Sequence, residues 1–408
     1  MSLPNQVPRA DVSQTHPHDW SYVSEGGATI VFSYAGPPSK EFTGTVLRLR
    51  KIIAEPPPKE IYKPLDIAEG IDQASSEEDE GYDTSSSEDE DEPDDPTIAF
   101  QARITSKLIP PEHLPRLEPA KLKRHFLEKL SKRGDKKRPE SRKDVDRIDT
   151  HKKKGVIATD LIGGTGWAVE IKERIRKALR DLWNSWVGSD GTINNLKIFV
   201  HGSNIPPNDL PHLHMLYDDL KLPAEGRPTS GPDLLEAIFP AFADALLPVL
   251  LDTPVLTTLA KLQRTLDPLD IEGLSKLWKS DPNPQTPSSA AVGVGSREVK
   301  LAEWEDFLNE YLAEMKKPKE DLEREWANPT HTRLRYHLLA YLMSATFKDC
   351  SVILRFAPGE GPTITAIDLD PKSVDRLAKW EKLDNEIVGC FVESGDKEKP
   401  ACVDARVG

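Results

Sequence analysis

Ala28-Thr-Ile-Val-Phe-Ser-Tyr34, a Gly36-Pro-Pro38 break and Thr45-Val-Leu-Arg-Leu-Arg-Lys51 decide how this chain begins to fold. Apolar residues alternate in both runs, and the break holds turn residues, so the pattern predicts two antiparallel strands with one wet face. Downstream, Val156–Ile162, Trp167–Lys172, Asn194–Val200, Ser351–Phe356 and Thr363–Asp370 read as further strands. Lys121–Leu130, Ile175–Trp186, Trp304–Met315, Leu334–Ala345 and Arg376–Trp380 carry helical spacing, and Leu234–Leu251 is strongly apolar. The sum is α+β: a small N-terminal β-rich lobe at 20–160 and a larger mixed lobe at 161–408, after a disordered 1–19. Pro/Ser/Gly composition marks 281–295 as a loop.

The 408 residues carry a formal net charge of −14, which argues against a nucleic-acid partner. That average hides segregation, because Glu77–Asp95 holds twelve acids and no Lys or Arg. The Ser/acid stretch 72–96 cannot bury enough apolar surface to offset its ordering entropy and is expected to be a disordered insert. Ser75, Ser76, Ser85, Ser86 and Ser87 each have an acid three residues on, the pattern an acid-directed Ser/Thr kinase would use. Cys350, Cys390 and Cys402 offer neither a disulfide framework nor zinc-ligand spacing. No leader pattern and no uncharged run near 18 residues stands in the sequence, so the expectation is a soluble protein of nucleus or cytoplasm, away from membranes, with a monomer as the default. Lys132-Arg-Gly-Asp-Lys-Lys-Arg138 reads equally as an import signal or as part of a ligand site.

Two carboxylate motifs flank strands. Asp349 precedes Ser351–Phe356, and Asp368 and Asp370 close the following strand, as phosphoryl transfer would need for a base beside a metal-holding acid. Turn aspartates capping strand ends are the commoner alternative. Glu25-Gly-Gly27 could let backbone N–H groups approach a phosphate, or be a plain turn. Arg48 and Arg50 share one strand side, suiting a nucleotide phosphate or merely a wet basic face. Lys372 and Arg376, four apart, would form a polyanion fork on one helical turn.

Taken together, Glu25–Tyr34, Val46–Lys51, Arg138-Pro-Glu-Ser-Arg142, Ala158-Thr-Asp-Leu161, Val169-Glu-Ile-Lys172, Asn194–Phe199, Phe347-Lys-Asp-Cys-Ser351 and Asp368-Leu-Asp-Pro-Lys372 resemble the fungal inositol-pentakisphosphate 2-kinase family. The resemblance runs from near the N-terminus to about residue 392, and it is specific as a set. It implies a two-lobed inositol-polyphosphate-kinase-like fold. It also implies ATP- and Mg2+-dependent phosphorylation of the 2-hydroxyl of inositol 1,3,4,5,6-pentakisphosphate to inositol hexakisphosphate. By motif, Asp349 is implied as general base and Asp368 as the Mg2+ holder, with Asp370 as helper. Gly26, Gly27 and Arg48 are implied to face the ATP phosphates. Glu170 is implied to help build the nucleotide site, and Thr159, Asp160 and Leu161 to pass the adenine. Lys172, part of the catalytic set, joins Arg142, Asn195, Lys372 and Arg376 on the substrate phosphates. A ligand with roughly ten negative charges needs several such cations.

One departure stands out: the family motif continues Glu-Ile-Lys-Pro-Lys into a Cys/His-bearing run, whereas Glu170-Ile-Lys172 continues here into Glu173 and Arg174. A segment expected after Lys172 is missing. The alternative that follows is a catalytically impaired, inositol-phosphate-binding or scaffold pseudokinase.

Overall fold

The computed structural model describes residues 10–53, 92–172, 179–188, 195–280 and 298–393. The Ser-rich part of the acidic insert, Arg174, Asn194, the 281–295 loop and Cys402 lie outside them. The chain is α+β and divides into two compact units, residues 1–95 with 117–158 and residues 96–116 with 159–408.

The first unit is built on a seven-stranded sheet. Its strands are β1 (Ala10–Asp11), β2 (Trp20–Glu25), β3 (Thr29–Tyr34), β4 (Thr45–Ile53), β5 (Leu117–Lys121), β6 (Asp146–Ile148) and β7 (Lys154–Thr159). The order is β1-β5-β7-β4-β3-β2, with β6 on β4. The predicted hairpin is present: Ile30 and Phe32 of β3 and Leu47 and Leu49 of β4 are buried, and Thr29 pairs Arg50 through Ser33 with Val46. Order begins earlier than the polar composition of 1–19 predicts. Val12 is fully buried, and Trp20 Nε1 donates to Thr15 Oγ1 at 2.8 Å, so the apolar core holds this stretch in place.

The basic run from Lys121 is corrected in the same way. Lys121 ends β5, which pairs antiparallel with β7, and the helix starts only at Arg124 and runs to Gly134. Its Phe126, Leu127 and Leu130 are buried, leaving the cationic positions outward. The last residues of the acidic insert are also ordered. Glu92 pairs with Lys152 at 2.9 Å, Asp94 with Lys154 at 3.1 Å and Asp95 with Arg50 at 2.6 Å.

The second unit holds an antiparallel sheet of β8 (Trp167–Lys172), β9 (Leu196–Val200), β10 (Ser203–Ile205), β11 (Ser351–Phe356) and β12 (Thr363–Ile367), ordered β10-β9-β8-β11-β12. Gly166 turns into β8 at φ +90°, and a Cβ there would collide with the Phe356 carbonyl, so only glycine fits. Trp167 stacks on Phe356 with ring centroids 4.1 Å apart. Helices cover this sheet. Gly231–Asp252 is long and apolar enough to cross a membrane by composition, yet Leu234, Ile238, Phe242 and Leu246 are fully buried in the unit's core. Residues 96–116 belong here too: Phe100 meets Trp304 edge-on, and Arg103 pairs with Glu305 at 2.5 Å.

Candidate active site

Strand register assembles the site. Ser351 pairs with Lys172 on one side and Ile367 on the other, so Lys172 at the end of β8, Asp349 just before β11 and Asp368 just after β12 share one end of three adjacent strands. Asp349 is the C-cap of the Leu334–Lys348 helix, its N–H bonded to the Ala345 carbonyl at 3.1 Å. Its carboxylate accepts from Lys372 Nζ at 2.6 Å and lies 3.4 Å from Lys172 Nζ. Partial burial pushes the Asp349 pKa up, but Lys372 first and Lys172 second outweigh it, and the carboxyl is held below the usual range. Half of that side chain is exposed, so the carboxylate is open to a ligand.

β12 ends at Ile367 rather than Asp370 because Asp368 takes φ +61°, a left-handed conformation that Asp tolerates better than most residues. This swings the exposed Asp368 out of the ladder, while the Asp370 carbonyl accepts from Thr346 Oγ1 at 3.2 Å. The predicted fork is corrected: Lys372 lies in the connection before the helix, which begins at Arg376 and extends to Glu393. Pro371 and the turn at Val374–Asp375 separate the two cations, and Lys372 is spent on Asp349 instead.

One face of β8 carries Ala168, Glu170 and Lys172 by period-two alternation. Ala168, Phe199 and Ile353 form a small buried cluster there, with Leu161, Ile162 and Ile367 packed against it. Next along the face, buried Glu170 accepts from Lys197 Nζ at 2.9 Å and from Ser351 Oγ at 3.2 Å. The face thus grades from apolar to ionic toward Asp349. Asn195 contributes its carbonyl, which takes the Lys172 N–H at 3.0 Å. Thr159 Oγ1 accepts the Arg116 N–H at 3.1 Å, and Asp160 Oδ1 caps the N–H groups of Ile162 and Gly163. Lys197 went unread in the sequence, although a lone lysine inside Leu196-Lys-Ile-Phe-Val200 was its signal.

The remaining expected residues lie in the first unit. Gly26 and Gly27 make the open turn between β2 and β3, where an added Cβ would meet nothing within 4 Å. Arg48 and Arg50 share the side of β4 opposite buried Leu47 and Leu49, with Arg50 engaged bidentately by Asp95. Arg142 is exposed on the short Glu140–Lys143 helix. Glu25, beside the glycines, is buried against Lys51 at 3.0 Å and Arg138 at 2.8 Å. Burial works to raise the Glu25 pKa, and the two cations reverse it to a net lowering. Asp146 completes the group, 2.9 Å from Lys51 and 2.5 Å from Arg138. No local pattern signals this cluster, in which Arg138 bonds to Glu25 across 113 positions.

A carboxylate thus stands between two lysines at a sheet end, with a second acid across the hairpin. The particular family follows from comparison: the chain belongs to the inositol-pentakisphosphate 2-kinase family, whose model matches residues 22–172 and 172–386. It is similar to the proteins named inositol-pentakisphosphate 2-kinase from Cryptococcus neoformans var. neoformans serotype D, strains JEC21 and B-3501A. Each is 26% identical over 458 positions, covering 95% of this chain and 96% of the relative. The two matched blocks meet at Lys172, where the family motif breaks off here. The alignment is longer than the 408-residue chain, so the relatives carry residues without a counterpart in it.

Proposed function

We propose that this chain is an ATP- and Mg2+-dependent kinase that phosphorylates the 2-hydroxyl of inositol 1,3,4,5,6-pentakisphosphate, giving inositol hexakisphosphate. The observation that carries the reading is the convergence of Lys172, Asp349 and Lys372 at one end of a sheet, with Asp368 across the hairpin, in a chain of this family. The β-rich first unit and the mixed second unit are then the small and large lobes of an inositol-polyphosphate-kinase-like design.

In this mechanism Asp349 takes the proton of the 2-hydroxyl as its oxygen attacks the γ-phosphorus, and the bond to the ADP oxygen breaks. Lys172 and Lys372 orient the carboxylate before substrate arrives and grip substrate phosphates once it does, together with Asn195 and Arg376. The apolar end of the β8 face, with Leu161, suits a nucleobase, and its ionic end suits phosphates. Gly26, Gly27 and Arg48 are assigned to the ATP phosphates, and Arg142 to the substrate phosphates, by the family resemblance alone. Mg2+ is often bound by one or two carboxylates plus phosphates. Asp368, with Asp370, would hold it, and it would offset charge on the transferred phosphoryl group.

The test is incubation of the purified protein with ATP, Mg2+ and inositol pentakisphosphate, the product position being assigned by NMR. Hexakisphosphate newly phosphorylated at the 2-position is expected. Tight binding without product would favour the non-catalytic alternative, for which the comparisons give no support.

A further inference from the structure

The last turn of the Leu334–Lys348 helix is held more firmly than a surface helix end requires. The final carbonyls of any helix lack intrahelical partners. Here the Phe347 carbonyl accepts from Gln263 Nε2 at 2.8 Å and from Cys350 Sγ at 3.2 Å. Lys348 Nζ donates to Asp267 Oδ2 at 2.8 Å. The Asp267 side chain is only 3% exposed while that of Lys348 is 49% exposed. Surface ion pairs contribute little, and burying a carboxylate to pair with a half-exposed lysine is costly. Burial accordingly pushes the Asp267 carboxyl up, with Lys348 opposing. Buried Thr346 ties the same turn to the Asp370 carbonyl. Gln263 belongs to the Pro254–Thr265 helix and Asp267 to the connection after it, so a helix and the turn that follows it grip both residues that immediately precede Asp349.

We propose that Gln263 and Asp267 are positioning residues that fix the Asp349 carboxylate for proton abstraction, Gln263 through the Phe347 carbonyl and Asp267 through Lys348. This rests on Asp349 being the base. Neither residue touches substrate; each acts on the backbone from which the carboxylate projects. Asp267 also keeps the Lys348 ammonium away from Asp349, which already carries two lysines. A displacement of about 1 Å of a reacting group can cost about a hundredfold in rate.

The experiment measures steady-state kinetics for Gln263→Met and Asp267→Asn, each in the Lys348 and Lys348→Met backgrounds, beside Asp349→Asn. Affinity for inositol pentakisphosphate is followed by calorimetry and folding by thermal unfolding. The expected result is a fall in kcat of roughly tenfold or more, with KM for both substrates and pentakisphosphate affinity within about twofold. The effect of Asp267→Asn should vanish in the Lys348→Met background, whereas that of Gln263→Met should persist. Should Asp267→Asn fail to fold, Gln263→Met decides. Wild-type kcat in folded Gln263→Met and Asp267→Asn, with Asp349→Asn inactive, overturns the positioning role alone. Full turnover by Asp349→Asn overturns the base assignment and this inference with it.

Discussion

Glu25, Lys51, Arg138 and Asp146 in the first unit, and Lys172, Asp349 and Lys372 in the second, are both groups of opposite charges within ion-pair distance. The first group is 1–9% exposed and the second 11–50%. In the first, Arg138 also takes the partly exposed Asp135 at 3.2 Å, and the charges are enclosed by one another. In the second, two lysines share Asp349, with Asp368 across the hairpin, and the charges are partly open to solvent. A closed cluster has nothing left to offer a ligand, and its role is to lock β2, β4 and β6 together with the residues before the Glu140–Lys143 helix. An open one leaves its charges accessible.

The contrast breaks most readily at Arg138. Arg138→Met leaves Glu25 and Asp146 sharing only Lys51, and removing one partner of a buried ion set costs about 3–5 kcal/mol. Urea unfolding should show that loss; a change under about 1 kcal/mol would mean the cluster is solvated after all. The same cluster sets an acid dependence. Because the Glu25 pKa is lowered on folding, its contribution is complete above the ordinary carboxylate range and is lost as pH falls through the lowered folded value. Glu25→Gln should flatten that part of the acid slope, measured by unfolding at a series of pH values.

Lys372→Met sharpens the other side of the comparison. Exposed pairs contribute at most about 1 kcal/mol, so stability should hardly move. Lys372 is the main cause of the lowered Asp349 pKa, so the acid limb of the pH profile of kcat/KM should move up toward ordinary carboxylate values in the variant. An unmoved limb would show that Lys372 does not control that carboxylate. The smallest effect concerns Cys350. Burial first, then the nearby Asp368 and Asp349 charges, push its thiol up to about 12, whereas Cys390 is exposed. Alkylation near pH 8 followed by peptide mapping should label Cys390 quickly and Cys350 only on unfolding.

Local patterns carried much of the fold into view. β8 and β11 have the bounds read from the sequence, and β3 and β4 lie within a residue or two of theirs. Elements set by distant partners were hidden. β5 contains Pro119, which removes a ladder donor, so nothing in its composition reads as strand. Helix Arg376–Glu393 runs far past Trp380 with Leu383, Ile387 and Val388 exposed, a register that periodicity alone does not deliver. In the site, Asp349, Asp368 and Lys172 were legible as residues at strand ends. The fork of Lys372 with Arg376 was not, because Pro371 and the turn at Val374–Asp375 hold the helix back to Arg376. Asp267 lies 81 positions from Lys348, and Gln263 lies 84 from Phe347. Such pairs are made by tertiary packing, which no local window contains.

The most direct test of the account is turnover by Asp349→Asn measured beside its thermal unfolding. Loss of the proposed general base should lower kcat by about 10²–10⁴-fold, while the unfolding midpoint stays near that of the wild type, because the half-exposed carboxylate does not hold the fold. Retained turnover, or unfolding as severe as that of Arg138→Met, would contradict the division of labour between the closed cluster and the open one.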